Sequence, residues 1–275
     1  VRIWLDGRLV DAIDARVSPL DSGFRLGDGV FSTLLAFDGE PQNLAAHVAR
    51  TVRDASALGI TGIVADRLTE AARQVVAANE EHADLVLRLV VTRGPVAPDA
   101  PFGAVSRAPT VAVLASPAPP PQPSVTTTLV EGGRRPASIK STSWAWSAHA
   151  IATARADGAT TALFIEGGQV LEGAAANIIV AVDGRLLTPP ADGALLPGTT
   201  RAVLLERVED LTESPIELDL LHRADEVLLT SAVRGVQSVT AIDDHPVGDG
   251  GPGPVAQRLE QALVAAGVGP TAPRR

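Results

Sequence analysis

The chain has 275 residues, 45% of them hydrophobic, enough for a buried core in one large domain or two moderate ones. A formal net charge of −9 supplies no basic field for nucleic acid or a membrane surface, and no apolar run reaches the length of a spanning helix. Cysteine is absent and the five histidines (His47, His82, His149, His222, His245) show no ligand spacing, so neither a metal nor a redox centre is expected.

VRIWLDGRLV, residues 1–10, alternates apolar and polar residues around Asp6-Gly7 and predicts a hairpin. It lacks the basic, apolar and small-residue succession of a signal peptide, so the cytoplasm is the expected compartment. Leu44, Val48, Val52, Ala55 and Leu58 recur at helical spacing, and Gly59 suits the position just past a helix end. ADRLTEAARQVVAAN predicts a second helix; LVLRLVVTRG and PTVAVLASP predict strands. APPPQPS, residues 118–124, has the composition of a linker, and separates an expected smaller domain (1–117) from a larger one (125–275). Beyond it SVTTTLV reads as a strand, SAHAIATARADG as a helix, and hairpins are predicted around Gly167-Gly168 and Asp183-Gly184. PGTTRAVLLERVED starts a helix after Pro197-Gly198, EVLLTSAVRGVQSVTAI is mostly strand, VAQRLEQALVAAG is a last helix and GPTAPRR a tail. The expected fold class is α/β (α+β) in two domains.

Of the 23 lysines and arginines all but one are arginine, and the exception is Lys140, in PASIKSTSWAW. A guanidinium stays protonated and cannot condense with an aldehyde, so a lone lysine suggests amine chemistry. An enzyme that uses pyridoxal phosphate needs such a lysine, a carboxylate for the pyridinium nitrogen and a cradle for the phosphate. Glu172, in QVLEGAAAN, is a candidate carboxylate followed by small residues that leave room for a flat ring. LLPGTTRAVL brings Thr199 and Thr200 to a helix start, where free N–H groups and hydroxyls suit an anion. Arg50, in HVAR, can pair with the same phosphate, and the backbone of Ser231 and Ala232 can close on it. Taken singly each has an ordinary reading: a solvated turn glutamate, a threonine cap, a surface arginine. Their conjunction carries the argument.

With these residues in place the chain resembles the fold-type IV pyridoxal phosphate enzymes, the class IV aminotransferases and 4-amino-4-deoxychorismate lyases, from about residue 3 to 245. LDSGFRLGDGVFST is similar to the D-R-G-F-x-x-G-D-G-x-F-x-T signature, and LAAHVARTVRDASALGI to the H-x-x-R helix, whose arginine binds phosphate. The resemblance implies that Arg50 has that role, that Lys140 is the Schiff base lysine, and that Glu172 in the E-x4-N motif meets the pyridine nitrogen. LLPGTTR is similar to the L-P-G-x-T-R loop, which implies phosphate contacts for Thr199 and Thr200, and LLTSAVRGVQSV to the last phosphate segment, at Ser231 and Ala232. It also implies a D-amino-acid-aminotransferase-like fold, a pseudo-barrel second domain, a homodimer, and the cofactor held between the domains.

Departures from the family pattern bear on the reaction. Ser22 and Ser238 replace a usual arginine and a common proline at turns, and Ala232 replaces a frequent threonine, leaving a backbone contact. Phe31 stands where D-amino-acid aminotransferases carry tyrosine, and Phe31-Ser32-Thr33 is similar to the F-[S/T]-T of the lyases. PVAPDA, residues 95–100, lacks the Arg-x-His carboxylate trap of D-amino-acid aminotransferases. The expected activity is therefore elimination of pyruvate from aminodeoxychorismate to leave 4-aminobenzoate. The alternative is transamination of a branched-chain or other small amino acid with 2-oxoglutarate. Phe31, Thr33 and Arg93 are the candidate substrate contacts, with Arg25 and Arg234 as further candidates for its carboxylate. The intact cofactor set argues against a non-catalytic binding protein on the same scaffold.

Overall fold

Turn chemistry and helical periodicity place most elements of the computed structural model, which describes residues 1–82, 84–101 and 108–272. The last three residues of the GPTAPRR tail lie outside the described residues. The chain divides into two compact units, Val1–Pro119 with Ile139–Trp144, and Pro120–Ser138 with the residues from Ala145 onward. The expected second domain, 125–275, is thus interrupted by a six-residue return to the first unit. The cause is local packing: Ile139 joins an apolar cluster of Val30, Ala55, Ile60 and Val91.

Unit 1 opens with strands β1 (Arg2–Leu5) and β2 (Arg8–Asp11) and continues through helix α1 (Ser22–Leu26), β3 (Gly29–Phe37) and β4 (Glu40–Pro41). Helices α2 (Leu44–Ala57) and α3 (Ala65–Ala77) and strands β5 (Asp84–Thr92) and β6 (Thr110–Pro117) complete it. Among the described residues its strands form one antiparallel sheet in the order β2-β1-β6-β5-β3-β4. Asp6 and Gly7 both take positive φ (46° and 100°), the geometry a two-residue hairpin needs to match strand twist. Leu34, Leu85, Leu87 and Leu89 of the sheet bury against Val48 of α2 and Leu68 and Val75 of α3.

Unit 2 contains β7 (Ser124–Glu131), α4 (Ala145–Ala156), β8 (Thr161–Glu166), β9 (Gln169–Gly173), β10 (Asn177–Val182) and β11 (Arg185–Thr188). There follow α5 (Thr199–Arg207), β12 (Leu211–Glu213), α6 (Leu218–His222), β13 (Glu226–Ser231), β14 (Gly235–Ile242), β15 (His245–Pro246) and α7 (Pro254–Ala265). The described strands make a mixed sheet, β12-β11-β10-β13-β14-β7-β8-β9, with β15 paired to β14. Gly167-Gly168 and Asp183-Gly184 again take positive φ at both positions, closing the predicted hairpins. β10 is buried along its whole length: Ile178 and Val180 pack with Leu163 and Leu229, while Ile179 faces Leu204 of α5 and Leu259 and Leu263 of α7.

Candidate active site

In unit 1 the segment carrying Lys140 is held as an extra piece of sheet. The Phe31 N–H donates to the Lys140 carbonyl at 2.9 Å, the Thr142 N–H donates to the Gly29 carbonyl at 2.9 Å, and Val30 bridges Ser141. Hydroxyls of Thr142 and Ser143 donate to the Gly27 carbonyl at 2.7 and 2.9 Å. Gly27 sits at φ 66°, and a Cβ there would come within 2.6 Å of the Ser143 hydroxyl, so glycine serves both the turn and the approach. Lys140 Nζ lies 4.7 Å from the centre of the Phe31 ring and 6.0 Å from that of Trp144, and the two rings meet edge to face at 5.9 Å.

Helix α2 turns an unusual stripe inward: His47, Arg50, Thr51 and Asp54 are all buried. Their spacing of three and four residues puts them on one face. Arg50 Nη2 donates to Ser32 Oγ at 2.6 Å and lies 3.5 Å from His47 Nδ1; Ser32 Oγ is 3.0 Å from that same nitrogen. A guanidinium can only donate, so the contact with Arg50 suits Nδ1 as an acceptor. His47 is 2% exposed, and burial, then the charges of Arg50 and Lys140, push its pKa from 6.5 down to about 3. The ring stays neutral at physiological pH.

Phe31 and Thr33 lie on the opposite face of β3 from Ser32. Thr33 is paired with Arg88 of β5, whose guanidinium carbon stands 5.1 Å from the Phe31 ring centre. Arg88 was not singled out by sequence, because its side-chain neighbours depend on a register that LVLRLVV does not reveal. Arg93, one of the candidate substrate contacts, is differently occupied. Its Nε donates to Asp28 Oδ2 at 2.5 Å, and its Nη2 to Asp28 Oδ1 at 3.1 Å and the Leu58 carbonyl at 2.9 Å. That geometry ties a loop to the end of α2. Phe31 and Lys140 are brought together and Thr33 shares the Phe31 face of β3; Arg93 is engaged by Asp28 and Leu58.

In unit 2, Glu172 on β9 is 3% exposed. Arg134 Nε and Nη2 donate to its Oε1 at 3.1 and 2.6 Å, and the Leu196 N–H donates to Oε2 at 3.2 Å. Arg134, with Nη2 also on the Ala137 carbonyl, compensates a carboxylate that burial alone would disfavour. Sequence offered no reason to prefer it over the adjacent Arg135. Asn177 Nδ2 donates to the Leu196 carbonyl at 2.8 Å, so the E-x4-N motif supports the very loop that contacts Glu172. A Cβ on Gly198 would come within 1.9 Å of Asn177 Oδ1, which only glycine avoids.

Gly198 is the N-cap of α5 and no side chain caps the helix, so Thr199 and Thr200 are not ordinary threonine caps. The first N–H groups of a helix have no intrahelical partner, and the helix end carries partial positive charge. Thr200 is 3% exposed and its hydroxyl makes no hydrogen bond. Arg201 fastens the helix from behind: Nε donates to Thr188 Oγ1 at 3.1 Å and Nη2 to the Pro189 carbonyl and Glu213 at 2.7 and 2.5 Å. Ser231 and Ala232 lie at the β13–β14 turn, where Ser231 Oγ accepts from the Arg234 N–H at 3.3 Å. Only the backbone of this turn is offered to a ligand by Ala232.

In unit 2 a buried hydroxyl without a partner at a helix start fits a phosphate and a held carboxylate fits a pyridine nitrogen; in unit 1 Lys140 supplies an amine that fits an aldehyde. Among the described residues no cluster of His, Cys, Asp and Glu could hold a metal ion, and no helix is long and apolar enough to cross a membrane.

A model of the class IV amino-transferase family matches residues 29–242. D-alanine aminotransferase of Bacillus licheniformis is 29% identical over 273 residues, covering 96% of both chains. A putative branched-chain-amino-acid aminotransferase of Methanocaldococcus jannaschii is 29% identical over 277 residues, covering 95% of this chain and 94% of its own. The crystal structure of a branched-chain aminotransferase from Thermoproteus uzoniensis with norvaline superposes with a TM-score of 0.88 at 27% identity, covering 97% of this chain and 95% of that one. The matched span includes Arg50, Lys140, Glu172 and Thr200. The chain belongs to the class IV aminotransferases and is a pyridoxal phosphate-dependent enzyme of fold type IV.

Proposed function

We propose that the protein is an aminotransferase that moves the amino group of a small aliphatic or branched-chain amino acid to 2-oxoglutarate. The observation that carries this reading is the position of Ser32. Phe31-Ser32-Thr33, similar to the pattern of the lyases, was the sign of elimination in the sequence, but the Ser32 hydroxyl is buried between Arg50 and His47 on the helix side of β3. Phe31 and Trp144 stand beside Lys140 Nζ, and Arg88 stands by the Phe31 ring and pairs with Thr33: apolar walls and a cation, suited to an aliphatic side chain and a carboxylate. The absence of an Arg-x-His pair in residues 95–100 supports branched-chain over D-amino-acid donors.

When bound, pyridoxal phosphate supplies an aldehyde that takes up amines and a ring that withdraws electrons from the substrate Cα. Lys140 is assigned the amine that holds the cofactor and then moves a proton to and from Nζ. Glu172, kept in place by Arg134 and the Leu196 N–H, is assigned the charge partner of the ring nitrogen. Arg50, Thr199, Thr200 and the Ser231–Ala232 backbone are assigned the phosphate. Arg88 is assigned the substrate carboxylate in place of Arg93. Exposed Ile13, Val17, Phe24 and Leu26 support the expected homodimer, and the cytoplasm is its proposed compartment.

The test is an assay of the loaded protein with L- and D-amino acids and 2-oxoglutarate, beside aminodeoxychorismate. Glutamate formation with branched-chain donors is the expected result. Release of pyruvate from aminodeoxychorismate with no glutamate formed from any donor would return the assignment to the lyase.

A further inference from the structure

Lys140 needs more than an amine; its backbone has to be held. On the sheet side its carbonyl accepts the Phe31 N–H, and its own N–H, turned the other way, donates to Asp54 Oδ2 at 2.9 Å across 86 positions of sequence. Asp54 belongs to the third turn of α2 and is 1% exposed. Its other oxygen accepts Arg53 Nε and Nη2 at 3.0 and 2.7 Å, which balances the charge of the buried carboxylate. A carboxylate is costly to bury, and this one accepts the backbone N–H of Lys140. The same helix carries Arg50 one turn earlier on the same face, so α2 sets the lysine segment and the arginine from a single rigid element.

We propose that Asp54 is a positioning residue for Lys140, clamping its backbone so that the amine is presented beside Phe31 rather than carried off by its loop. This rests on the assignment of Lys140 as the cofactor lysine. The clamp acts through the peptide group and touches no reacting atom. Three groups share its work: β3 takes the carbonyl, α2 takes the N–H, and Ile139 anchors the preceding side chain in the apolar cluster.

Because the chain has one lysine, protein labelled with 15N-lysine shows a single backbone amide resonance from lysine, that of Lys140. Its hydrogen exchange is measured in the cofactor-free native protein, Asp54→Ala and Asp54→Asn. The rate at which borohydride traps added pyridoxal phosphate on Lys140 is measured on the same three. Asp54→Ala is expected to exchange at least about tenfold faster and to trap more slowly, because an acceptor bearing charge is lost. Asp54→Asn keeps an acceptor without the charge and is expected to fall between, recovering part of the trapping rate. It also serves if the alanine variant does not fold, since it should still exchange faster than native. Exchange and trapping equal to native in the folded variants overturn the clamp. Exchange that responds to Asp54 in a native chain whose Lys140 never traps the cofactor overturns the cofactor assignment, and the positioning role with it.

Discussion

The neutral, buried His47 makes stability depend on pH in a way that can be separated from every other group. Above pH 6.5 the ring is uncharged both folded and unfolded, so it contributes no pH dependence. Below that value the unfolded ring takes up a proton that the folded ring, with its pKa near 3, refuses. Protons therefore favour the unfolded chain, and stability falls by about 1.4 kcal/mol for each pH unit until the folded ring also titrates. Across the whole window the loss amounts to roughly 5 kcal/mol, and to roughly 3 kcal/mol by pH 4.5. The loss follows first from burial and then from the charges of Arg50 and Lys140. His47→Asn replaces Nδ1 by an oxygen that can still accept from Ser32 but never titrates. Urea unfolding of cofactor-free protein at intervals between pH 4.5 and 7.5 should show a shallower slope for this variant by about 1.4 kcal/mol per pH unit. Parallel slopes would refute the reasoning, because they would mean that His47 protonates alike in both states.

Thr200→Val removes a hydroxyl that bonds to nothing in the protein, so cofactor-free stability should stay within about 0.5 kcal/mol, while pyridoxal phosphate dissociation should rise roughly tenfold or more. Equilibrium dialysis beside thermal unfolding checks the two halves separately. Arg88→Ala should raise KM for the amino acid by about tenfold with cofactor retention unchanged, as loss of a charged hydrogen bond implies; an unaltered KM in steady-state kinetics would remove Arg88 from the substrate. Glu172→Gln should still bind pyridoxal phosphate yet lose on the order of a hundredfold in kcat, by analogy with loss of one preorganised electrostatic group. Near-native turnover would mean that the ring nitrogen relies on something else.

Local chemistry made much of the fold legible. Hairpins at Asp6-Gly7, Gly167-Gly168 and Asp183-Gly184 were readable because few residue pairs tolerate positive φ at both positions. The helices were readable because Leu44, Val48 and Ala55, or Leu68 and Val75, recur at helical spacing over buried sheet. The return of Ile139–Trp144 to unit 1 was not, since a strand-like bridge to β3 is decided by contacts more than a hundred positions apart. Nor does sequence distinguish Arg134, buried on Glu172, from Arg135 on the surface, or Asp54 from any charged residue of an amphipathic helix. Ser32 was read as a mark of the reaction because Phe31-Ser32-Thr33 is similar to the F-[S/T]-T of the lyases. Alternation along β3 turns it the other way, into the Arg50 and His47 network.

The central claim is that Lys140 is the amine that holds pyridoxal phosphate. Borohydride reduction of the loaded protein, followed by digestion and mass analysis, tests it directly because one lysine and the amino terminus are the only primary amines of the chain. The reduced pyridoxyl group should be found on the peptide containing Lys140 and be absent from that of Lys140→Arg, which keeps the charge and loses the condensation. Modification confined to the amino terminus of the native chain would contradict the account.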